Sequence, residues 1–145
     1  MIKTTKTSLH KRTVLIADDE PEIIKFLRSI FVKEGYRVTS VRNGRDVLRK
    51  VKKGDIDLVI LDVIMPVMSG METLRELQKM APRLPVIVVT GYGDLQSARE
   101  VMLLGARDYV TKPFDVNFMK AAIRQTLGKR AASTLASVGS PPCGG

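Results

Sequence analysis

Five short apolar runs alternating with amphipathic stretches predict an α/β fold: a five-stranded parallel sheet, (βα)5, with helices on both faces. Three observations carry this. The runs Val14–Ala17 and Val86–Val89, and the apolar part of Asp57–Leu61, are unbroken rather than alternating, as in strands buried on both sides. The stretches between runs repeat apolar residues at helical spacing, and such βα alternation favours parallel strands joined by crossover helices. Gly and Pro stand at the joints between them.

The first strand, Val14–Ala17, stops abruptly at Asp18-Asp19-Glu20. Pro21 suits the first turn of a helix, and the flanking acids suit a helix N-terminus. Ile23, Leu27 and Phe31, with Ile24 and Ile30 beside them, place an apolar face on residues 21–34, and Gly35 ends that helix. Arg37–Val41 reads as the second strand. A turn at Asn43-Gly44 leads into a helix to about Lys53, with Val47, Leu48 and Val51 inward. Its other side carries Arg45, Arg49, Lys52 and Lys53, a basic stripe that reads as a solvated face in preference to an anion-binding one. Gly54 closes that helix.

Asp57–Leu61 is the third strand, with Asp62 at its far end and Pro66 and Gly70 in the loop beyond. A charged side chain at the mouth of a buried strand is costly to desolvate, which marks Asp62 as a candidate for chemistry. The next helix turns Leu74 and Leu77 inward and ends near Met80; Pro82 and Pro85 bracket the turn into Val86–Val89. That run ends at Thr90-Gly91-Tyr92-Gly93. Residues 94–104 are predicted helical, with Leu95, Ala98, Val101 and Met102 on one side and Gly105 as the stop. Asp108–Val110 is a short fifth strand running into Thr111-Lys112-Pro113, and the last helix carries Val116, Met119, Ile123 and Leu127.

Bulk properties narrow the class. The chain of 145 residues is 44% hydrophobic and 27% charged, the composition of one ordinary globular domain. Its net charge of +9 is concentrated at the ends: residues 1–13 carry four cations and no acid, and 129–145 carry two. Residues 14–128 hold 18 basic and 15 acidic side chains, which weakens the case for a nucleic-acid surface on the body. The single cysteine, Cys143, excludes an internal disulfide and a thiolate metal cluster, and fits a reducing cytoplasm. No apolar run follows the N-terminal basic residues as in a signal peptide, and none is long enough to span a bilayer. The expected organisation is a flexible basic arm (1–12), a folded domain (13–128) and a disordered tail or truncated linker (129–145).

Open parallel sheets bind ligands outside the carboxyl ends of their strands. There this sequence sets Asp18 and Asp19, then Asp62, Thr90 and Lys112, from four different strands. Clustered carboxylates call for a hard divalent cation such as Mg²⁺. A lysine and a hydroxyl opposite them suit a doubly charged tetrahedral oxyanion, and cation plus lysine form the clamp that phosphoryl transfer needs. A carboxylate facing that clamp can become an aspartyl phosphate. Singly, Asp18 or Asp19 is explained as well by helix capping, Thr90 by capping the helix near Asp94, and Lys112 by plain exposure.

Asp18-Asp19, Asp62 with Met65-Pro66 and Gly70, Thr90-Gly91, and Tyr109 before Lys112-Pro113 together resemble the receiver domain of two-component response regulators, the CheY-like superfamily, over about residues 13–128. The resemblance implies a flavodoxin-like fold with strand order 2-1-3-4-5. It implies that Asp62 accepts a phosphoryl group from a sensor histidine kinase or a phosphotransfer protein. Asp19 and Asp62 would bind Mg²⁺ (or Mn²⁺) directly, Asp18 through water, and Ile64 through its backbone carbonyl. Lys112 would contact the phosphoryl oxygens, with a cis bond to Pro113. Thr90 and Tyr109 would act as the switch, passing the change to a face formed by residues 94–127. That face would meet an effector domain or protein, or a second copy of the chain on phosphorylation, in a stand-alone regulator or a receiver cut from a longer protein.

Three other readings compete. A haloacid-dehalogenase-like phosphotransferase wants an acid two residues after its nucleophile, where Ile64 stands. A flavodoxin-like electron carrier wants a Ser/Thr/Gly-rich phosphate loop after the first strand, where Asp18-Asp19-Glu20 stands. Direct nucleic-acid binding through the basic stripe and arm finds no recognition motif in its support.

Overall fold

The computed structural model describes residues 11–91 and 95–128. The expected tail, all of the expected arm but Lys11 and Arg12, residues 92–94 and the side chains of residues 95–97 lie outside the described residues. In chain order the elements are β1 (Thr13–Ala17), α1 (Pro21–Lys33), β2 (Arg37–Val41), α2 (Gly44–Lys53), β3 (Leu58–Asp62), α3 (Gly70–Met80), β4 (Val86–Thr90), α4 (Leu95–Leu103), β5 (Asp108–Thr111) and α5 (Val116–Ile123). A π-helical turn, Arg124–Gly128, extends α5.

All pairings are parallel, and the strands lie in the order β2-β1-β3-β4-β5, as the resemblance implied. From β1 the chain moves first to one side, to β2, and then crosses to the other, to β3. The reversal therefore falls between β1 and β3, where an open parallel sheet leaves a crevice at its carboxyl edge.

Every residue of β1, β3 and β4 is buried. Alternation sends successive side chains to opposite faces. Val14, Ile16, Leu58, Ile60, Ile87 and Val89 pack with α1 and α5 through Leu27, Phe31, Met119 and Ile123. Leu15, Ala17, Val59, Leu61, Val86 and Val88 pack with α2, α3 and α4 through Val47, Leu74, Leu77 and Val101. Burying such a side chain fully contributes about 1.5–3 kcal/mol, so the sheet is held by two cores rather than one.

Helix starts are set locally. Asn43 caps α2 by accepting from the Asp46 N–H at 2.9 Å. Ser69 and Glu72 form a reciprocal capping box at the start of α3. Gly70 is packed so tightly that a Cβ there would run into the Asp62 carbonyl and the Val63 backbone. The loop after Asp62 thus folds back on the strand that carries it.

The described fold differs from expectation in three places. Met102, expected inward, is 45% exposed while Val101 is fully buried. Val101 is the covered position, with Ala98 and Leu104 half-buried three residues to either side, and Met102 lies about 100° round the helix from Val101. Asp62 is the last residue of β3 and pairs with Val89, rather than standing just past the strand. Asp57, expected within it, lies before β3 and accepts from the Thr13 N–H at 2.8 Å. Arg12 donates from Nη1 to the Leu127 carbonyl at 3.2 Å, tying the start of β1 to the end of the last helix.

Candidate functional site

Because the strands are parallel, the residues that follow them meet at one edge. Asp19, Glu20, Asp62, Ile64, Thr90, Gly91 and Lys112 line a cavity of about 360 Å³ there. Asp18 lies beneath it, 2% exposed, and Asp62 and Thr90 are also buried. One carboxylate oxygen each from Asp18, Asp19 and Asp62 lie within 4.8 Å of one another.

Lys112 is the counter-charge. Its Nζ donates to Asp18 Oδ2 at 2.9 Å, to Glu20 Oε1 at 3.0 Å and to Asp62 Oδ2 at 3.4 Å. Its backbone is fixed by a bond from its N–H to the Thr90 carbonyl at 2.8 Å, and its peptide bond to Pro113 is cis. The other oxygen of Asp62 accepts from the Ile64 N–H at 3.3 Å, and the other oxygen of Asp18 from the Glu20 N–H at 2.9 Å.

Burial, and after it the charge of Asp18, raises the Asp62 carboxyl from its ordinary 3.8 to about 6, with Lys112 and the Ile64 N–H only partly opposing. Burial alone would lower the Lys112 ammonium, but its hydrogen bonds to Asp18 and Glu20 and the charges of Asp18 and Asp62 prevail and raise it. Lys112 is therefore a fixed positive charge. Asp62 is a carboxylate that burial and the neighbouring charge of Asp18 make costly to keep ionised.

This donor set fits a hard divalent cation: carboxylate oxygens from separate elements, close enough to share one ion, with a single ammonium among them. Asp19 and Asp62 both line the cavity, while Asp18 stands behind them. Ile64 is also at the cavity, its side chain turned largely to solvent. Gly91 leaves space beside Thr90, since a Cβ built on it would meet no atom within 4 Å.

Tyr109 is not at this cavity. It sits in β5 opposite Val88, one alternation back from the Thr90–Thr111 pair on the same face of the sheet. It packs partly buried against the core under α2, α3 and α4, and lines a separate hollow with Pro113, Phe114 and Phe118. The residue that sequence reasoning passed over is Glu20. Its position after Asp18-Asp19 was visible, but its partner lies 92 residues further along the chain.

Together these features define a doubly wound parallel α/β protein with an acidic, lysine-clamped cavity at the carboxyl edge of its sheet. The chain belongs to the response regulator receiver domain family, whose profile matches residues 14–124. It is 37% identical over 126 residues to the uncharacterized transcriptional regulatory protein YkoG of Bacillus subtilis, covering 87% of this chain and 55% of that one. It is also 37% identical over 125 residues to the transcriptional regulatory protein PcoR of Escherichia coli, covering 86% and 55%. The chain thus spans about half the length of these relatives. Among solved structures, a CheY-like receiver domain protein from Methanospirillum hungatei superposes with a TM-score of 0.80 at 27% identity, over 86% of this chain and 99% of that one. The CheX-CheY-BeF3-Mg complex from Borrelia burgdorferi matches with a TM-score of 0.77 at 28% identity, over 80% and 89%.

Among the described residues no helix is long and apolar enough to cross a membrane.

Proposed function

We propose that this chain is a phosphorylation-activated switch of a two-component system, in which Asp62 accepts a phosphoryl group from a sensor histidine kinase or a phosphotransfer protein. The observation that carries the reading is the convergence of Asp62, Asp19, Thr90 and Lys112 on one cavity, with the Lys112 ammonium 3.4 Å from the Asp62 carboxylate. An Asp62 oxygen forms the bond to phosphorus as the phosphorus–nitrogen bond of the donor's phosphohistidine breaks, and the imidazole leaves with the electron pair.

The site's residues divide the labour. Lys112 supplies a permanent cation for the phosphoryl oxygens, and Thr90 a hydroxyl beside them. Asp19 and Asp62 would hold Mg²⁺ or Mn²⁺ directly, Asp18 through water and Ile64 through its carbonyl. That ion, when bound, offsets the charge of the carboxylates and of the transferred group. Phosphorylation adds charge and acceptor oxygens that draw Thr90 toward the site, and Tyr109 turns inward behind it. The face formed by residues 94–127 carries the change to an effector domain or protein, or to a second copy of the chain. The chain's own chemistry is limited to gaining and losing this group, in the cytoplasm, without turnover of a metabolic substrate.

The test is to incubate the protein with a small phosphodonor and Mg²⁺ and measure its intact mass. One added phosphoryl group is expected, lost in Asp62→Asn and on chelation of the metal. No added mass, or added mass that survives Asp62→Asn, overturns the reading. Size-exclusion with and without beryllofluoride and Mg²⁺ then decides the output: a shift marks a dimerising switch, and no shift a monomer that docks a partner.

A further inference from the structure

We propose that Glu20 is a positioning residue of this site: its carboxylate holds the Lys112 ammonium in the cavity as a stand-in anion and yields that bond to the incoming phosphoryl group. The proposal rests on the reading of Asp62 as phosphoacceptor.

An ammonium has three N–H donors. At Lys112 three carboxylates take them, Asp18 at 2.9 Å, Glu20 at 3.0 Å and Asp62 at 3.4 Å. A phosphoryl oxygen reaches Nζ only by displacing one of them. Releasing Asp18 is costly, because its side chain is 3% exposed and would be left as a buried charge without its cation. Asp62 gives up its charge on bonding phosphorus, so its donor, the longest contact at 3.4 Å, passes to the phosphoryl group it carries. A further phosphoryl oxygen reaches Nζ only at the expense of Asp18 or Glu20. The Glu20 side chain is 60% exposed and returns to water at little cost. The exposed acid is the one that gives way.

A second feature separates Glu20 from an ordinary helix-start acid. It occupies the N-cap of α1, where a side chain usually accepts from the first helical N–H groups, yet it makes no capping bond. Its carboxylate reaches out of the helix to Lys112 instead and lines the same cavity as Asp62 and Thr90. Nor is Glu20 one of the three acids whose oxygens cluster tightly enough to share a cation. Its direct contact is with the ammonium rather than among the oxygens that would share a metal.

Glu20 therefore competes with the anion while its negative charge favours the cation. Removing that charge strengthens binding of the anion without strengthening binding of the cation, whereas loss of a merely structural contact weakens both. The full chain and its Glu20→Gln and Glu20→Ser variants are titrated with beryllofluoride at saturating Mg²⁺, and separately with Mg²⁺ alone, by calorimetry or by amide NMR shifts. Serine is a favoured N-cap residue, so Glu20→Ser retains the fold even if glutamine does not.

Both variants are expected to bind beryllofluoride roughly threefold to tenfold more tightly, as follows from losing an exposed ion pair and a like-charge repulsion. Mg²⁺ alone should bind with unchanged or slightly reduced affinity. Unchanged or weaker beryllofluoride binding in a folded variant overturns the proposal and leaves the phosphoacceptor reading standing. Absence of beryllofluoride binding to the unsubstituted chain overturns that reading, and the role of Glu20 with it.

Discussion

Asp62→Asn should make the protein more stable, although it removes the residue on which the proposed function depends. The ordinary carboxyl value of 3.8 rises to about 6 at this position, first through burial and then through the charge of Asp18. At 1.36 kcal/mol per tenfold change in proton affinity, holding Asp62 ionised at pH 7 costs the folded state up to about 3 kcal/mol. Asparagine keeps the size and an acceptor oxygen without the charge, and Lys112 retains Asp18 and Glu20 as partners. The expected gain is on the order of 1–3 kcal/mol, read from urea unfolding in chelator at pH 7.

The sign of the pH dependence follows from linkage. A raised folded-state value means that the native protein binds the proton more tightly than the unfolded chain. The cost is thus complete above pH 6, shrinks between 6 and 3.8, and is absent below that window. Unsubstituted protein should gain on Asp62→Asn as pH falls from 7 to 4, and adding Mg²⁺ at pH 7 should narrow the gap by binding the carboxylate form. An Asp62→Asn variant of equal or lower stability at pH 7, or a difference that does not change between pH 4 and 7, would refute the electrostatic account of the site.

Gly70→Ala should destabilise by about 2 kcal/mol or more in the same assay, because the new Cβ meets the Asp62 carbonyl and the Val63 backbone, neither of which can swing away. Val101→Ala should cost about 1–3 kcal/mol, while Met102→Ala next to it changes stability by less than about 0.5 kcal/mol. The reverse ranking would mean that α4 is turned differently on the sheet. Asn43→Ala should cost about 1 kcal/mol by removing the acceptor for the Asp46 N–H, and Asn43→Asp should restore most of it.

Strands buried on both faces are legible because nothing but an apolar run satisfies them, and every residue of β1, β3 and β4 is buried as its run suggested. The inward faces of α1 and α3 were legible for a similar reason, since Leu27, Phe31, Leu74 and Leu77 repeat at helical spacing. Met102 was misplaced because α4 turns only a narrow stripe to the sheet and leaves other apolar residues outside: Leu103 is 81% exposed. The site's members could be gathered from sequence because parallel topology sends every strand's carboxyl end to one edge. Their pairing could not. That Lys112 reaches past Asp62 to Asp18 and Glu20 depends on the length of its side chain and the path of the chain as it leaves β5. The separation of Tyr109 from the cavity is likewise a matter of strand register.

The charge of the site ties its ligands together. Among the described cavity residues, four carboxylates, Asp18, Asp19, Glu20 and Asp62, stand against the Lys112 ammonium, an excess of three formal negative charges where, on the proposed function, a further anion arrives. Lys112 cannot offset that excess alone, since its three donors already serve three acids. A divalent cation removes two of the three charges and so favours the anion; by linkage, the anion favours the cation by the same factor. On the proposed function, the acidic charge that adds to burial in making Asp62 costly to keep ionised would also couple metal to phosphoryl group. A more stable arrangement with fewer acids would bind each ligand with less regard to the other.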